Sequence, residues 1–256
     1  MSKANRNRQI AREKIAKARA AEARRARQRR LVTGIGIAVV VAAVAVPLAL
    51  KLTSAHSTTT LPKHTNPNWS VPSSPSLHTA ALSTLGKLSP APPVGPAGGE
   101  GIPIPAAAPL AGTNTVAPGI TVQGIHCGGS EQLRFHVHAH VTIFVNGSQR
   151  QIPADVGIPA GKNCLYWLHT HYPDGIIHIE SPVVRTYTLG DLFDIWGQPL
   201  GPNQVGPARG KVTAIYNGQV YVGNPRDIPL NAHAQIQLEV GTPLIAPQTI
   251  TTWAGL

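Results

Sequence analysis

The chain has 256 residues and a net charge of +11 at pH 7, but this charge is concentrated at one end. Twelve Lys and Arg residues and only two Glu residues precede Leu31, so ten of the eleven net positive charges lie in the first thirty residues. The high isoelectric point therefore describes a basic tail. Because the rest of the chain is nearly neutral, this charge distribution excludes a uniformly basic folded surface of the kind that binds nucleic acid.

The first fifty residues predict a membrane anchor that follows a basic tail. Residues 1–30 are rich in Ala, Arg, Lys and Gln, which favour helix, and are expected to contact anionic lipid headgroups, with no nucleic acid partner. Residues 31–50 carry no charge and, at about 1.5 Å per residue, can span the roughly 30 Å core of a bilayer. We therefore predict a single transmembrane helix over residues 31–51.

The charge distribution also predicts the orientation of this anchor. Positive charge collects on the cytoplasmic side of membrane spans, so residues 1–30 are expected in the cytoplasm and everything after Lys51 outside it. The alternative is a signal peptide cleaved near Ser54, but signal peptides usually have a shorter apolar region. We predict a single-pass protein of the cell membrane with an extracytoplasmic C-terminal domain.

Residues 52–118 predict a linker. They contain twelve prolines and many Ser, Thr, Ala and Gly residues, without a periodic apolar pattern. Such a segment buries too little apolar surface to offset the entropy of ordering it, so we predict a disordered, extended tether. Its histidines, His56, His64 and His78, are expected to have no role.

Residues 119–256 predict one α+β domain with a small mixed sheet and one helix. Within residues 137–145, apolar residues alternate with His138, His140 and Thr142, which is the period of a strand with one buried face. The histidines are expected on the opposite face. Two Asn-Gly pairs, at 146–147 and 217–218, predict tight hairpin turns.

The helix is predicted over residues 189–196. Thr188 and Asp191 can form a capping box before it, and Gly197 can end it. Its apolar residues share one face: Leu189, Leu192, Phe193 and Trp196.

A last strand over residues 233–240 alternates again, with Gln237 and Glu239 expected to face outward. The order of hairpin, helix, hairpin and final strand is that of a β-grasp sheet, which we predict by analogy. Residues 154–182 would be an insertion that folds over the open face of this sheet.

Two cysteines, Cys127 and Cys164, are the only ones in the chain. Outside the membrane a pair of thiols is free to oxidise, so we predict a disulfide between them. The alternative is a Cys127 thiolate that ligates a metal beside His126, which requires a reduced thiol.

Seven His and Glu side chains, grouped at a spacing of two residues, give the strongest functional signal. In chain order they are His136, His138, His140, His169, His171, His178 and Glu180. Alternate strand residues point the same way about 6.5 to 7 Å apart, so two imidazoles of such a row can reach one ion but three cannot. We predict a divalent metal site with four inner ligands: His138, His140, His169 and His171.

The place of His178 depends on the turn at residues 172–175. A four-residue loop puts His178 opposite His169 on the same face, whereas a three-residue Pro-Asp-Gly loop with a bulge turns His178 away. Glu180 either binds the ion directly or holds a liganding imidazole by a hydrogen bond.

The ligand types restrict the metal and leave three functions open. Imidazole and carboxylate favour Zn(II) or Cu(II), with Fe(II), Mn(II) and Ni(II) as further candidates, while paired cysteines and a single methionine, Met1, argue against soft Cu(I). We predict a domain that captures, buffers or senses the ion. The alternatives are a metal-dependent enzyme with an open coordination position and a non-metal interaction surface with pH-sensitive histidines. The enzyme would use Glu180, Asp155 or Asp174 as its base.

Overall fold

The computed structural model describes residues 77–256, which belong to one compact unit. The predicted tail, the transmembrane helix and residues 52–76 of the predicted linker lie outside the described residues. Within residues 77–256, no helix is long and apolar enough to cross a membrane. The anchor over residues 31–51 stays a prediction.

Thirteen strands and one α-helix occur in the described part of the chain. The strands are β1 (Thr79–Ala80), β2 (Cys127–Gly128), β3 (Phe135–Val145), β4 (Ser148–Arg150), β5 (Leu165–Tyr166), β6 (Leu168–His169), β7 (Ile176–Ser181), β8 (Leu200–Gly201), β9 (Gln204–Val205), β10 (Ala208–Arg209), β11 (Val212–Tyr216), β12 (Gln219–Tyr221) and β13 (Gln235–Val240), and the helix is α1 (Leu189–Trp196). Eight strands form the main sheet in the order β1, β12, β11, β13, β3, β7, β6, with β4 also paired to β3. The predicted α+β class, mostly sheet with one helix, is confirmed for these residues.

Strand β3 is the centre of the sheet because it pairs with three others. Its first half runs antiparallel to β7, its second half runs antiparallel to β4, and β13 lies parallel along its other edge. The predicted apolar face is buried, since Ala139, Val141 and Ile143 are at most 3% exposed. These residues share one hydrophobic core with the apolar residues of α1.

Helix α1 has the ends that its sequence predicts. The Thr188 side chain accepts a hydrogen bond from the backbone N–H of Asp191, and the Asp191 carboxylate accepts one from the N–H of Thr188. Gly197 closes the helix in the left-handed conformation at φ 71°. Such local hydrogen bonds depend only on neighbouring residues, which is why the sequence predicts these bounds.

The insertion differs from its prediction. Residues 154–182 contribute β7 and β6, which extend the main sheet beside β3, so this part of the insertion does not fold over the sheet. Strand β3 has eleven residues and its hairpin partner β4 has only three, so β4 pairs with the end of β3. The edge of the first half of β3 is therefore free to pair with β7. The insertion therefore supplies two strands next to the histidine row.

The second face of the sheet is covered as well, which the alternation in β13 does not predict. Gln237 and Glu239 were expected to face outward but are 3% and 1% exposed. The Gln237 side chain donates to the carbonyl of Ile245, and the Glu239 carboxylate accepts from the Ile245 N–H. The chain that follows β13 thus lies across this face. It is held by hydrogen bonds between side chains of β13 and its backbone, and not by the backbone hydrogen bonds of a strand pair.

The Pro-rich segment from Leu77 to Pro118 also packs on the domain, although its composition predicts a tether. Strand β1 pairs with β12, Ser89 forms a bridge with Ile245, and Ile102 is fully buried. Average composition hides such anchors, because a few apolar residues and backbone hydrogen bonds suffice to hold an extended segment. In the described residues the domain therefore begins well before Gly119.

Candidate metal centre

Three neighbouring strands bring the predicted ligands together on the covered face. In the pairing of β3 with β7, His136 lies opposite Glu180 and His138 lies opposite His178. In the pairing of β6 with β7, His169 lies opposite His178. This is the register of the four-residue loop at 172–175, so His178 faces the site.

The first potential metal-binding group consists of His136, His138, His178 and Glu180. The Nε2 atom of His138 lies 3.2 Å from Nε2 of His136 and 3.1 Å from Nδ1 of His178. The Oε1 atom of Glu180 lies 3.4 Å from Nε2 of His136 and 3.3 Å from Nδ1 of His178. Four donor atoms therefore surround one point, and three of the four residues are buried.

The second potential group consists of His169, His171, His178 and Glu180. The Nε2 atoms of His169 and His171 are 3.3 Å apart, and Nε2 of His169 lies 4.0 Å from Oε2 of Glu180. His169 is fully buried, and its Nδ1 lies 2.9 Å from the carbonyl oxygen of Tyr166, which fixes the ring so that Nε2 faces Glu180. The two groups share His178 and Glu180.

His140, predicted as an inner ligand, belongs to neither group. Its Nε2 lies 3.0 Å from the carbonyl oxygen of Asp174, to which it donates a hydrogen bond. The register explains the difference, because Ile176 is the β7 residue opposite His140, whereas polar residues stand opposite His136 and His138. The pair from this strand is therefore His136 and His138.

Sequence reasoning missed Glu100, which approaches the site from the Pro-rich segment. Its Oε1 lies 3.1 Å from Nε2 of His178. The preceding residue, Gly99, packs against the Tyr172 ring, which would have to shift if position 99 carried a Cβ, since that Cβ would lie 2.3 Å from the ring. One signal was available, because Glu100 is the sole acidic residue between Lys51 and Pro118.

Some buried carboxylate oxygens in and beside the site have no hydrogen-bond partner among the described residues. In residues 77–256, three such atoms accept no hydrogen bond: Oε2 of Glu100, Oδ2 of Asp174 and Oε2 of Glu180. Leaving a buried polar atom unpaired costs about 1–3 kcal/mol, and more for a charged group, so proteins rarely do so without a reason. A cation at this place would satisfy the oxygen of Glu180.

Burial keeps several of these histidines in the neutral form that binds metal ions. It lowers the pKa of His138 to about 4 and the pKa of His169 to about 3. Burial would also lower the pKa of His178, but hydrogen bonds to Glu100 and Glu180 outweigh it and raise the pKa to about 9. Burial would raise the pKa of Glu180, but its hydrogen bond from His178 and its proximity to His169 lower that pKa.

The two cysteines and the two aspartates that the sequence suggests as a ligand or a base lie outside both groups. Cys127 and Cys164 form the predicted disulfide, with their Cα atoms 5.4 Å apart, so Cys127 is not a metal ligand. Asp155 is exposed and belongs to neither group, whereas Asp174 is buried beside His140.

Comparison with known proteins gives no relative: no protein family, no curated protein and no solved structure matches this chain. The fold and the site together define an α+β domain with buried His and Glu groups that could hold a metal ion.

Proposed function

We propose that this protein is a membrane-anchored, extracytoplasmic metal-binding protein that captures, buffers or senses a divalent transition metal ion. The observation that carries the proposal is the spacing of 3.1 to 3.4 Å between neighbouring donor atoms of the first group. Bonds of about 2.0–2.1 Å to a tetrahedral ion place its ligand atoms about 3.3 Å apart. These four distances match the edges of such a shell, and all four donor atoms lie within 4.8 Å of one another.

The donor set supports Zn(II) or Cu(II), with Fe(II), Mn(II) and Ni(II) as further candidates. Three imidazoles and one carboxylate are borderline and hard ligands, whereas a thiolate is absent because both cysteines are paired. Burial of His138, His169 and His178 argues against the alternative of a solvent-exposed, pH-sensitive interaction surface.

The setting of the domain is part of the same proposal. The disulfide supports an oxidising compartment outside the cytoplasm, which agrees with the orientation that the basic tail predicts for a span at residues 31–51. We also propose a β-grasp core, supported by helix α1 and by the strand order β4, β3, β13, β11, β12. Strands β7 and β6 would be additions to that core.

The experiment is a metal analysis of the full-length protein purified in detergent without a polyhistidine tag, which would itself bind the ion. After loading with Zn(II) and removal of free metal, the parent should retain bound zinc. His138→Ala should weaken binding at least about tenfold, since even residues that only support ligands change affinity by that much. His233→Ala, an exposed histidine outside both groups, is the matched control. Absence of bound zinc, copper, iron, manganese and nickel in the parent would refute the proposal.

A metal-dependent enzyme is the second candidate, and the observation that bears on it is a cavity beside Asp174. This cavity, of about 270 Å³, is lined by His140, by Asp174 and by parts of residues 91–105 and 247–250, but by no residue of the two potential metal groups. Burial raises the pKa of Asp174 to about 6, which suits a general base near neutral pH. Metal-loaded protein should then hydrolyse one of a set of carboxylic ester, amide and phosphate ester probes. Asp174→Asn should abolish that activity without loss of metal, and inactivity of the loaded parent on all probes would count against this candidate.

A further inference from the structure

We propose that the site is built for two metal ions bridged by the carboxylate of Glu180. The inference rests on the proposed metal-binding function and states how many ions the site holds and what joins them. Each ion would have its own pair of histidines, His136 with His138 for the first ion and His169 with His171 for the second.

The geometry separates the two pairs. Each group of four has donor atoms within 4.8 Å of one another, but among the described residues no single such group contains both pairs. Ligand atoms on one tetrahedral ion lie about 3.3 Å apart. Atoms that are farther apart than 4.8 Å therefore cannot bind the same ion. One ion therefore leaves one histidine pair unused.

Glu180 faces both pairs with different oxygens. Its Oε1 lies 3.4 Å from Nε2 of His136, whereas its Oε2 lies 4.0 Å from Nε2 of His169. Oε1 lies close to nitrogen atoms of His136 and His178. Oε2, in contrast, is buried and accepts no hydrogen bond within residues 77–256. In two-metal sites the ions are about 3.5–4 Å apart, a distance that one carboxylate can bridge with its two oxygens.

The ring of His178 assigns it to the first ion. Its Nδ1 lies among the donor atoms of the first group, and its Nε2 lies 3.1 Å from Oε1 of Glu100, which accepts its hydrogen bond. The first ion then has four protein ligands and a closed shell. The second has three, namely Nε2 of His169, Nε2 of His171 and Oε2 of Glu180, and keeps a position open to water or a small anion.

The surrounding charges suit two cations. Two divalent ions bring four positive charges into a site where Glu100 and Glu180 supply two negative ones, and the carboxyl of Asp174 is near enough to interact with Glu100 and His178. Glu131 adds a half-exposed carboxylate 4.0 Å from Nε2 of His171, on the side of the second ion.

The test counts ions per chain in the full-length, untagged protein in detergent, loaded with Zn(II) alone and freed of unbound metal. We expect two equivalents for the parent. The double variants His136→Ala/His138→Ala and His169→Ala/His171→Ala should each retain one. The control His233→Ala should keep both.

A second measurement on the unmodified chain keeps the test independent of variants that fold poorly. With two equivalents of Cu(II), carboxylate-bridged ions couple magnetically, so the electron paramagnetic resonance signal per copper should fall well below that of an isolated ion. Two equivalents with coupled spins support the proposal. One equivalent in the parent, or two uncoupled ions, overturns the two-ion site but leaves metal binding intact. No bound ion refutes the proposed function itself.

Discussion

Nε2 of His178 lies 3.1 Å from a carboxylate oxygen of Glu100, although the two residues are 78 positions apart in the chain. Glu100 belongs to the Pro-rich segment, and His178 lies on β7, in the middle of the potential metal site. The contact fixes which nitrogen of His178 is free to face an ion. The segment before the predicted domain is therefore part of the site.

Removal of the Glu100 charge should weaken metal binding without removing a ligand. Glu100→Gln loses the charged acceptor that orients His178, and loss of such partners typically costs about 10- to 100-fold in affinity. Competition with a zinc chelator measures the change. Asp155→Asn, which alters an exposed carboxylate outside both groups, is the control and should have a much smaller effect. Equal affinity of Glu100→Gln and the parent would show that the contact is incidental.

His140 and His136 should respond in opposite ways to substitution. His140→Ala removes a buried hydrogen bond to the Asp174 carbonyl, so the free energy of unfolding should fall by about 1–3 kcal/mol while the bound metal per chain is unchanged. His136→Ala should lower metal affinity with little change in stability, because its side chain is 40% exposed. Denaturant unfolding and elemental analysis of both variants check the pair. Loss of metal in His140→Ala alone would reverse this assignment.

Glu239 should make the metal-free protein less stable as pH rises. Burial raises the pKa of this carboxyl from 4.5 to about 7, so between these values the folded chain holds a proton that the unfolded chain releases. Its contribution to stability is present below pH 4.5 and is lost as pH rises to about 7. Glu239→Gln cannot ionise and should gain stability relative to the parent over that range.

Denaturant unfolding of both proteins at pH 4.5 and pH 8 measures this difference, with Glu131→Gln as an exposed control. A gap between Glu239→Gln and the parent that stays constant with pH would mean that Glu239 titrates normally.

The disulfide should stabilise the domain independently of the metal. It closes a loop of 37 residues, and the chain-entropy relation then gives about 4 kcal/mol at 25 °C. Cys127→Ser/Cys164→Ser should lower the free energy of unfolding by roughly that amount, measured on metal-free protein. Below its melting temperature the variant should still bind as much metal per chain as the parent. A lower metal content at that temperature would show that the metal site depends on the disulfide.

Protease added to intact cells tests the predicted topology. The domain should be removed while residues 1–30, followed with an antibody against the tail, stay protected. A domain that survives until the membrane is permeabilised would contradict this orientation. Release of an intact soluble protein that starts near His56 would favour the cleaved signal peptide.

The sequence predicts those parts of the structure that short-range chemistry determines. The bounds of α1 follow from its caps, and the hairpins follow from Asn146-Gly147 and Asn217-Gly218, whose positive φ angles suit these residue types. The disulfide follows because no other cysteine competes. The histidine rows show the face of the site because strand residues alternate.

The choice among the histidines depends on contacts that no local pattern specifies. His136, His138 and His140 form one row of alternating residues in the sequence, and the register with β7 separates the first two from the third. The burial of Gln237 and Glu239 depends on the irregular chain that follows β13, and the site depends on the Pro-rich segment, which is far away in sequence. Compositional averages treat those segments as unstructured, since their anchors are few and widely spaced.

The position of the disulfide bears on the order in which the domain assembles. Cys127 precedes β3, and Cys164 precedes β6, so through the bond the two histidine pairs are separated by far fewer residues than along the chain. Shorter effective loops lower the entropic cost of pairing strands that are distant in sequence, and such pairings usually limit folding rates. We therefore expect oxidation to accelerate the formation of the sheet, with metal entering a site that the cross-link has already helped to shape.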